Sequence, residues 1–450
     1  MDRTSQLGEK SIPNLMWQFS LPSIVAMLVQ SSYNIINMSF IGRSVGAVGI
    51  AAIAVSVPVT MIQGAISQMI GSGCSARVSI LAGEADYDGA RRTLGCSMKF
   101  AILFSLSLMV VAQLFLDPLL AAFGASETIL PYSHDYMRVM LLGMVFSNFV
   151  SMNPMLRIEG FPMRAMATQL ISTAINLVLS PTFIFVFDLG IQGAALSSVV
   201  AQLATAVWIF LFLINKKRTI GLKREYFKFD LKIISNVLPL GLPGFLMQLA
   251  QSMLSITMNK NLGTYGGDTA ISAWGIMTSI TTLISQPVFG MNQGAQPIIG
   301  YNMGAKKYKR VRQTIAWTLG IATAFSVLAW ALTRLFPVPM FAFFNKDPEL
   351  IELGTGMMKI FMACLFLVGF QQSGAAYFQS AGKPRISIVL TLSRQVLILI
   401  PSVWILSYFF QLQGLLVSGI ISDIASALIT GIFILREAGN LKKLETLEAQ

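Results

Sequence analysis

The chain has 450 residues, of which 54% are apolar and only 12% charged, with 32 Lys and Arg against 20 Asp and Glu. Soluble globular chains carry about 25% charged residues, so this composition and a mean hydropathy of +0.68 exclude a water-soluble enzyme or binding domain. The net charge of +12 flanks apolar segments and forms no separate basic domain, which argues for anionic lipid headgroups and against nucleic acid as the partner.

Residues 1–13 are polar, and the apolar run after them is too long for a cleavable signal. Stretches of about 20 residues, enough to cross a bilayer, fall near 14–40, 47–73, 94–120, 136–156, 165–187 and 192–214. The first holds Pro22 and the amides of Gln30, Asn34 and Asn37, and the second Pro58 and Gln63. The fourth begins beside His134 and contains Asn153. The fifth carries Asn176, Ser180 and Pro181, and the sixth Ser198. A basic stretch, 215–232, reads as a cytoplasmic linker.

Six further stretches follow near 234–258, 270–297, 313–336, 356–380, 387–410 and 413–435. The seventh holds Pro243, Gln248 and Gln251; the eighth Gln286, Asn292 and Gln293; the tenth Gln371 and Gln372; the twelfth Asp423. Buried amides in lipid-embedded helices need partners or water, so these side chains are expected partly to tie helices together and partly to line a polar cavity. Asp423 is the deepest acid and a functional candidate on that ground. Cys74, Cys96 and Cys364 lack metal-like spacing and read as small packing residues.

The chain also repeats itself. Residues 21–93 align without gaps on residues 221 positions later, with 16 of 73 identical. Pro22 falls on Pro243, Gln30 on Gln251, Gly73 on Gly294, Gly83 on Gly304 and Tyr87 on Tyr308. Gly160 and Pro162 pair with Gly382 and Pro384 at an offset of 222. With the N-terminus inside, 26 basic residues face the cytoplasm and 6 face out, which supports an even span count and two cytoplasmic termini. The expected fold is an all-α polytopic membrane protein of twelve helices. Its N-terminal lobe would be 1–214 and its C-terminal lobe 233–450, six helices each, related by a pseudo-twofold along the membrane normal.

The segment Gln286-Pro-Val-Phe-Gly-Met-Asn-Gln-Gly-Ala-Gln-Pro-Ile-Ile-Gly-Tyr-Asn-Met-Gly-Ala-Lys-Lys-Tyr308 resembles the second-half signature of the MATE (multidrug and toxic compound extrusion) family. Tyr33-Asn-Ile-Ile-Asn37, Leu156-Arg-Ile-Glu-Gly160, Ile175-Asn-Leu-Val-Leu-Ser-Pro-Thr-Phe183 and Gly193-Ala-Ala-Leu196 are similar to the same family, in matching order. Tyr33-Asn34 and the surroundings of Asp423 look like its MepA-like bacterial branch. The resemblance implies two six-helix lobes in a V around a cavity, no cofactor, and export of small organic cations from the cytoplasm across a bacterial inner membrane in exchange for H⁺ or Na⁺. A monomer is expected.

Departures from the family pattern bear on coupling. Where the family places aspartates in spans one and five, this chain has Asn37 and Ser180, and a span-seven glutamate is replaced by Gln251. The carried-over cation site would be Asn37, Asn176, Ser180 and Ser198, a set of neutral oxygens that suits Na⁺ better than H⁺. Substrate contacts are expected from Gln30, Asn34, Asn153, Gln248, Gln251, Gln286, Asn292, Gln371 and Gln372, with Asp423 as the remaining coupling candidate. Two other readings stay open: a lipid-linked sugar flippase of the same superfamily, and a membrane receptor without transport. An enzyme is not expected, since the spans hold no His/Glu/Asp constellation.

Overall fold

The computed structural model describes residues 4–44, 46–215 and 217–448, and their side chains except at 34–44, 46, 47, 50, 224 and 448. Helix α1 spans Ile12–Ser44, α2 Gly46–Gly83 and α3 Tyr87–Leu114. Helix α4 is broken, Leu130–Leu142 meeting Met144–Ile158 at 48°. Helix α5, Pro162–Pro181, runs on as a π-helix through Thr182–Val186, and α6 covers Gly190–Leu213. The second half repeats the plan with α7 at Leu231–Tyr265, α8 at Gly267–Gly304 and α9 at Tyr308–Leu335. Helix α10 is broken as α4 is, Pro348–Phe361 meeting Leu365–Ser380 at 50°. Helix α11 opens at Pro384, passes through a π-helix at Ser393–Leu399 and ends at Gln411, whose φ of 51° and ψ of −132° interrupt Ile400–Glu448. The remainder, 412–448, is α12.

Among the described residues, eight helical stretches are apolar and long enough to span a bilayer, and the two bent pairs bring the number to ten. Helix α8 has the length but is diluted by its amides, and the 64-residue stretch Pro384–Leu447 divides at Gln411 into two. Twelve spans result, six per half. Helix α3 starts at Tyr87, earlier than the expected 94, because Asp86 caps it by accepting from the Gly89 amide.

The repeat extends to the backbone. Ala85 and Lys306, 221 residues apart, both sit in the left-handed region at φ 60° and 58°. Gly160 and Gly382 do so at 81° and 77°, and each is followed two residues later by a proline that starts a helix. Glycine after a helix end and proline at the first helical position is the arrangement that stops one helix and starts the next. Gly382→Ala is therefore expected to cost about 1–2 kcal/mol, read as a lower Tm in detergent; an unchanged Tm would show that the turn does not need the glycine.

Two apolar cores at one end of the bundle are shared between the halves. Leu7, Ile12, Leu15, Met16 and Phe19 pack with Met291, Ile298, Val311 and Phe378 of the second half. Reciprocally, Val237 at the start of α7 packs with Ile70, Val78, Leu94 and Leu156 of the first half. At the opposite end the cores separate: one holds only residues such as Met258, Met277 and Leu415, the others only residues such as Val59, Met137 and Ile184. The lobes thus join at the end bearing the loops Gly83–Tyr87 and Gly304–Tyr308 and part toward the other, which is the V. The lobe boundary expected at 215–232 is accordingly not a clean divide in packing.

The linker is fixed to the first half. Ile220 and Leu222 are buried, and Glu159 accepts from the amides of Thr219 (3.3 Å) and Ile220. Glu159 thereby holds the linker to the end of α4. A buried carboxylate at a helix end is close to orphan backbone donors, and the linker supplies them. Arg164 stacks on Phe161 at 4.8 Å, with Arg218 at 4.3 Å from the same ring.

Candidate cavity and polar sites

Small residues make the joined end tight. A Cβ at Gly83 would strike the Tyr301 carbonyl, and one at Gly304 would strike that of Ile80. Ile80 and Tyr301 are themselves 221 residues apart, so the contact between α2 and α8 obeys the pseudo-twofold. Gly73 likewise meets Val237 and Gly241 on α7, and Gly294 meets Ser20 on α1. Above this seam Gln379 donates to the Leu240 carbonyl at 2.8 Å and to Ser72 at 3.3 Å, closing a floor.

Over the floor lie two adjoining chambers of about 160 and 430 Å³. Helices α7, α8, α10 and α11 build them, with Gln68 of α2 as the first half's contribution to both. Gln248, Gln251 and Gln286 line the larger chamber, Asn292 and Gln371 the smaller, and Gln372 both. Gln371 also donates to the Leu390 carbonyl at 2.8 Å, so it holds α10 to α11 as well as facing the space. Trp274 and Phe361, in an edge-on pair with centroids 4.9 Å apart, and Phe289 add aromatic faces. Amides for directional bonds and aromatic or thioether walls for flat, variable bodies suit a permissive small-molecule site.

The other expected contacts are elsewhere. Gln30 is exposed on α1 and does not line either chamber. Asn153 is buried and donates to the Ala165 carbonyl at 3.2 Å, which ties α4 to α5. The side chains of Asn34 and Asn37 lie outside the described residues. Placement on an apolar helix shows that an amide is costly, not which neighbour answers it.

A second polar cluster occupies the first half. Ser180 and Ser197 are hydrogen-bonded at 2.8 Å between α5 and α6, with the Tyr33 hydroxyl beside Ser180 and Ser198. Asn176, one turn before Ser180, donates to Ser172 and leaves its own buried carbonyl oxygen without a donor. The structure thus gathers Asn176, Ser180 and Ser198, three of the four carried-over positions. The side chains gathered here, Asn176, Ser180, Ser197 and Ser198 with Tyr33, are all neutral.

Asp423 does not line a chamber. It is buried, and its Oδ1 accepts from Arg394 Nε at 2.9 Å, while Ser422 donates to the Arg394 carbonyl at 2.5 Å. In so dry a place a carboxylate needs a full cation, and α11 supplies one. Arg394 lines both chambers and is their only charged lining side chain among the described residues. Gln293 lines the smaller chamber as well, and Gln68, Gln296, Gln379 and Gln395 complete the amide lining. Gln395, like Arg394, sits on the π-helical stretch of α11, where the regular 3.6-residue spacing is interrupted.

The sequence model described as MatE matches residues 22–182 and 243–405, two copies starting at the paired prolines. Among curated relatives, the multidrug export protein MepA of Staphylococcus aureus is 27% identical over 96% of both chains. The protein of that name from Staphylococcus haemolyticus is 26% identical over 98% of both. Among solved structures, MATE in complex with MaL6 superposes with a TM-score of 0.92 at 23% identity, covering 97% of this chain and 99% of the other. A MOP superfamily transporter from Pyrococcus furiosus, described as having reversed binding-pocket polarity, gives 0.91 at 22% identity over 97% and 98%.

Proposed function

The chain belongs to the MatE family, and from that premise we propose that it is a secondary multidrug exporter. It would carry organic compounds, cations among them, out of the cytoplasm by alternating access of its two lobes. The observation that carries this is the amide- and aromatic-lined space of about 430 Å³ above a seam closed at one end. The repeat supports rocking, because the seam contacts on the two lobes are equivalent and can part as one. The excess of Lys and Arg on loops at the closed end supports a cytoplasmic position for that end and for both termini. On this reading the chambers face outward.

The substrate contacts proposed are Gln248, Gln251, Gln286, Asn292, Gln371 and Gln372. The first-half cluster of Asn176, Ser180 and Ser198, with Asn37, is proposed as a Na⁺ site, and Asp423 as a group whose charge state follows the cycle. A sugar-lipid flippase is less well supported, since pyrophosphate calls for several cations and the chambers present one.

Efflux of ethidium from everted vesicles, with Na⁺ and pH gradients imposed separately, tests the reading. Uphill movement driven by either gradient is the expected result, and no dye movement under both would overturn it. Asp423→Asn is expected to flatten the dependence on the driving ion; full wild-type dependence would remove Asp423 from coupling. Ser180→Ala should raise the Na⁺ concentration for half-maximal efflux about tenfold, one lost ligand being worth roughly 1.4 kcal/mol. An unchanged Na⁺ dependence would dismiss the first-half site.

A further inference from the structure

We propose that Arg394 anchors a carboxylate of the transported molecule, so that the chambers select aromatic zwitterions over the corresponding pure cations. This rests on the exporter reading and names the substrate class of the same cavity.

Three observations carry it. First, Arg394 lies on the π-helix Ser393–Leu399 and lines both chambers, where no described acidic side chain joins it. Asp423 is taken up by Arg394 and lines neither chamber, so a ligand bearing only positive charge finds no lining carboxylate there. Second, the guanidinium is held by one edge. Its Nε donates to the buried Asp423, and among the described residues neither Nη group meets a protein acceptor. The side chain retains 20% of its exposure, so the free edge of the fork is open to the space. Two parallel N–H groups in one plane match a carboxylate, and Asp423 fixes that plane before any ligand arrives.

Third, the chamber walls carry the complement for the other end of such a molecule. Gln372, Gln395 and Asn292 each keep a buried side-chain carbonyl oxygen without a donor. Carbonyl oxygens accept from ammonium or amine N–H groups. An aromatic body between the two ends would lie against Trp274, Phe289 and Phe361, whose faces also favour positive charge.

The test uses a rhodamine bearing a free carboxylate and the methyl ester of the same dye, which differ in the acid alone. Binding to purified protein is read by fluorescence anisotropy. The wild type should hold the acid about tenfold more tightly than the ester, as one charge-assisted pair requires. Asp423→Asn unmasks the guanidinium and should widen the preference. The Arg394→Gln/Asp423→Asn double variant removes both charges of the buried pair, so the fold keeps no lone buried carboxylate, and it should bring the ratio to about one. Arg394→Lys keeps charge without the fork and should fall between. A wild-type ratio near one, or a preference that survives in the double variant, overturns the proposal.

Ethidium efflux is followed in parallel. Export of ethidium with no acid preference sinks the zwitterion assignment and leaves the exporter standing. An acid preference without export of any dye upholds the Arg394 site and sinks the exporter.

Discussion

Valine at Gly83 or at Gly304 is expected to reduce dye efflux to background while the protein still folds and reaches the membrane. Each glycine lies where its helix passes a carbonyl of the other lobe, Tyr301 for Gly83 and Ile80 for Gly304. Overpacking costs about 1–3 kcal/mol when a side chain can give way, and here the obstacle is backbone. A penalty of about 3 kcal/mol confined to the closed seam displaces a two-state equilibrium more than a hundredfold. Because the sites are equivalent under the pseudo-twofold, either single variant should act alike and the double variant should add little to the loss of transport. Accessibility gives the direction. In a chain whose cysteines are replaced, a cysteine at Ala376 on the smaller chamber should become reactive to an impermeant maleimide in everted vesicles. Gly320→Val is the control, since nothing lies within 4 Å of where its Cβ would be. Equal loss at Gly320, or no gain of labelling at Ala376 in the seam variants, would show that the seam is not what these glycines serve.

The features written into spacing were legible in advance. The 221-residue offset anticipated the two lobes, and the matched loops Gly83–Tyr87 and Gly304–Tyr308 proved to be matched turns down to the left-handed Ala85 and Lys306. Seven of the named amides do line the chambers, because a polar group on a lipid-embedded helix has few other places to go. The pairing between helices was not legible. The first turns of α1 and α7 cross into the core of the opposite lobe, and no composition shift marks that exchange. Arg394 counts in a linear chain among the cytoplasmic-side cations; in the fold it lines both chambers and pairs with Asp423, a partner that spacing does not reveal. Gln30 illustrates the reverse: its repeat partner Gln251 faces the larger chamber while Gln30 does not, so the frame is symmetric and the cavity is not.

Arg157 follows the same logic and leads to the second large effect. It ends the broken helix α4 within the joined end and is 6% exposed. Its Nη2 donates to Gln293 Oε1 on α8 at 2.9 Å and its Nη1 to Ser23 Oγ on α1 at 3.4 Å, while Nε has no partner among the described residues. A buried guanidinium answered only by neutral oxygens favours any state that lets water reach it, so the seam holds a charge that biases it toward opening, and Gln293 offsets that bias. Gln293→Leu should remove about 1.5–3 kcal/mol of charge-assisted bonding, shifting the equilibrium toward an open loop end by roughly ten- to a hundredfold. Arg157→Met takes away the charge itself and should lock the seam shut. Both variants lose efflux, but maleimide labelling at the Ala376 cysteine rises in the first and falls in the second. The double variant, with neither charge nor amide in the seam, should label no more than wild type and remain slow in transport. Labelling that moves in the same direction in both single variants would reduce Arg157 to a packing residue and leave the opening of the seam to its glycines alone.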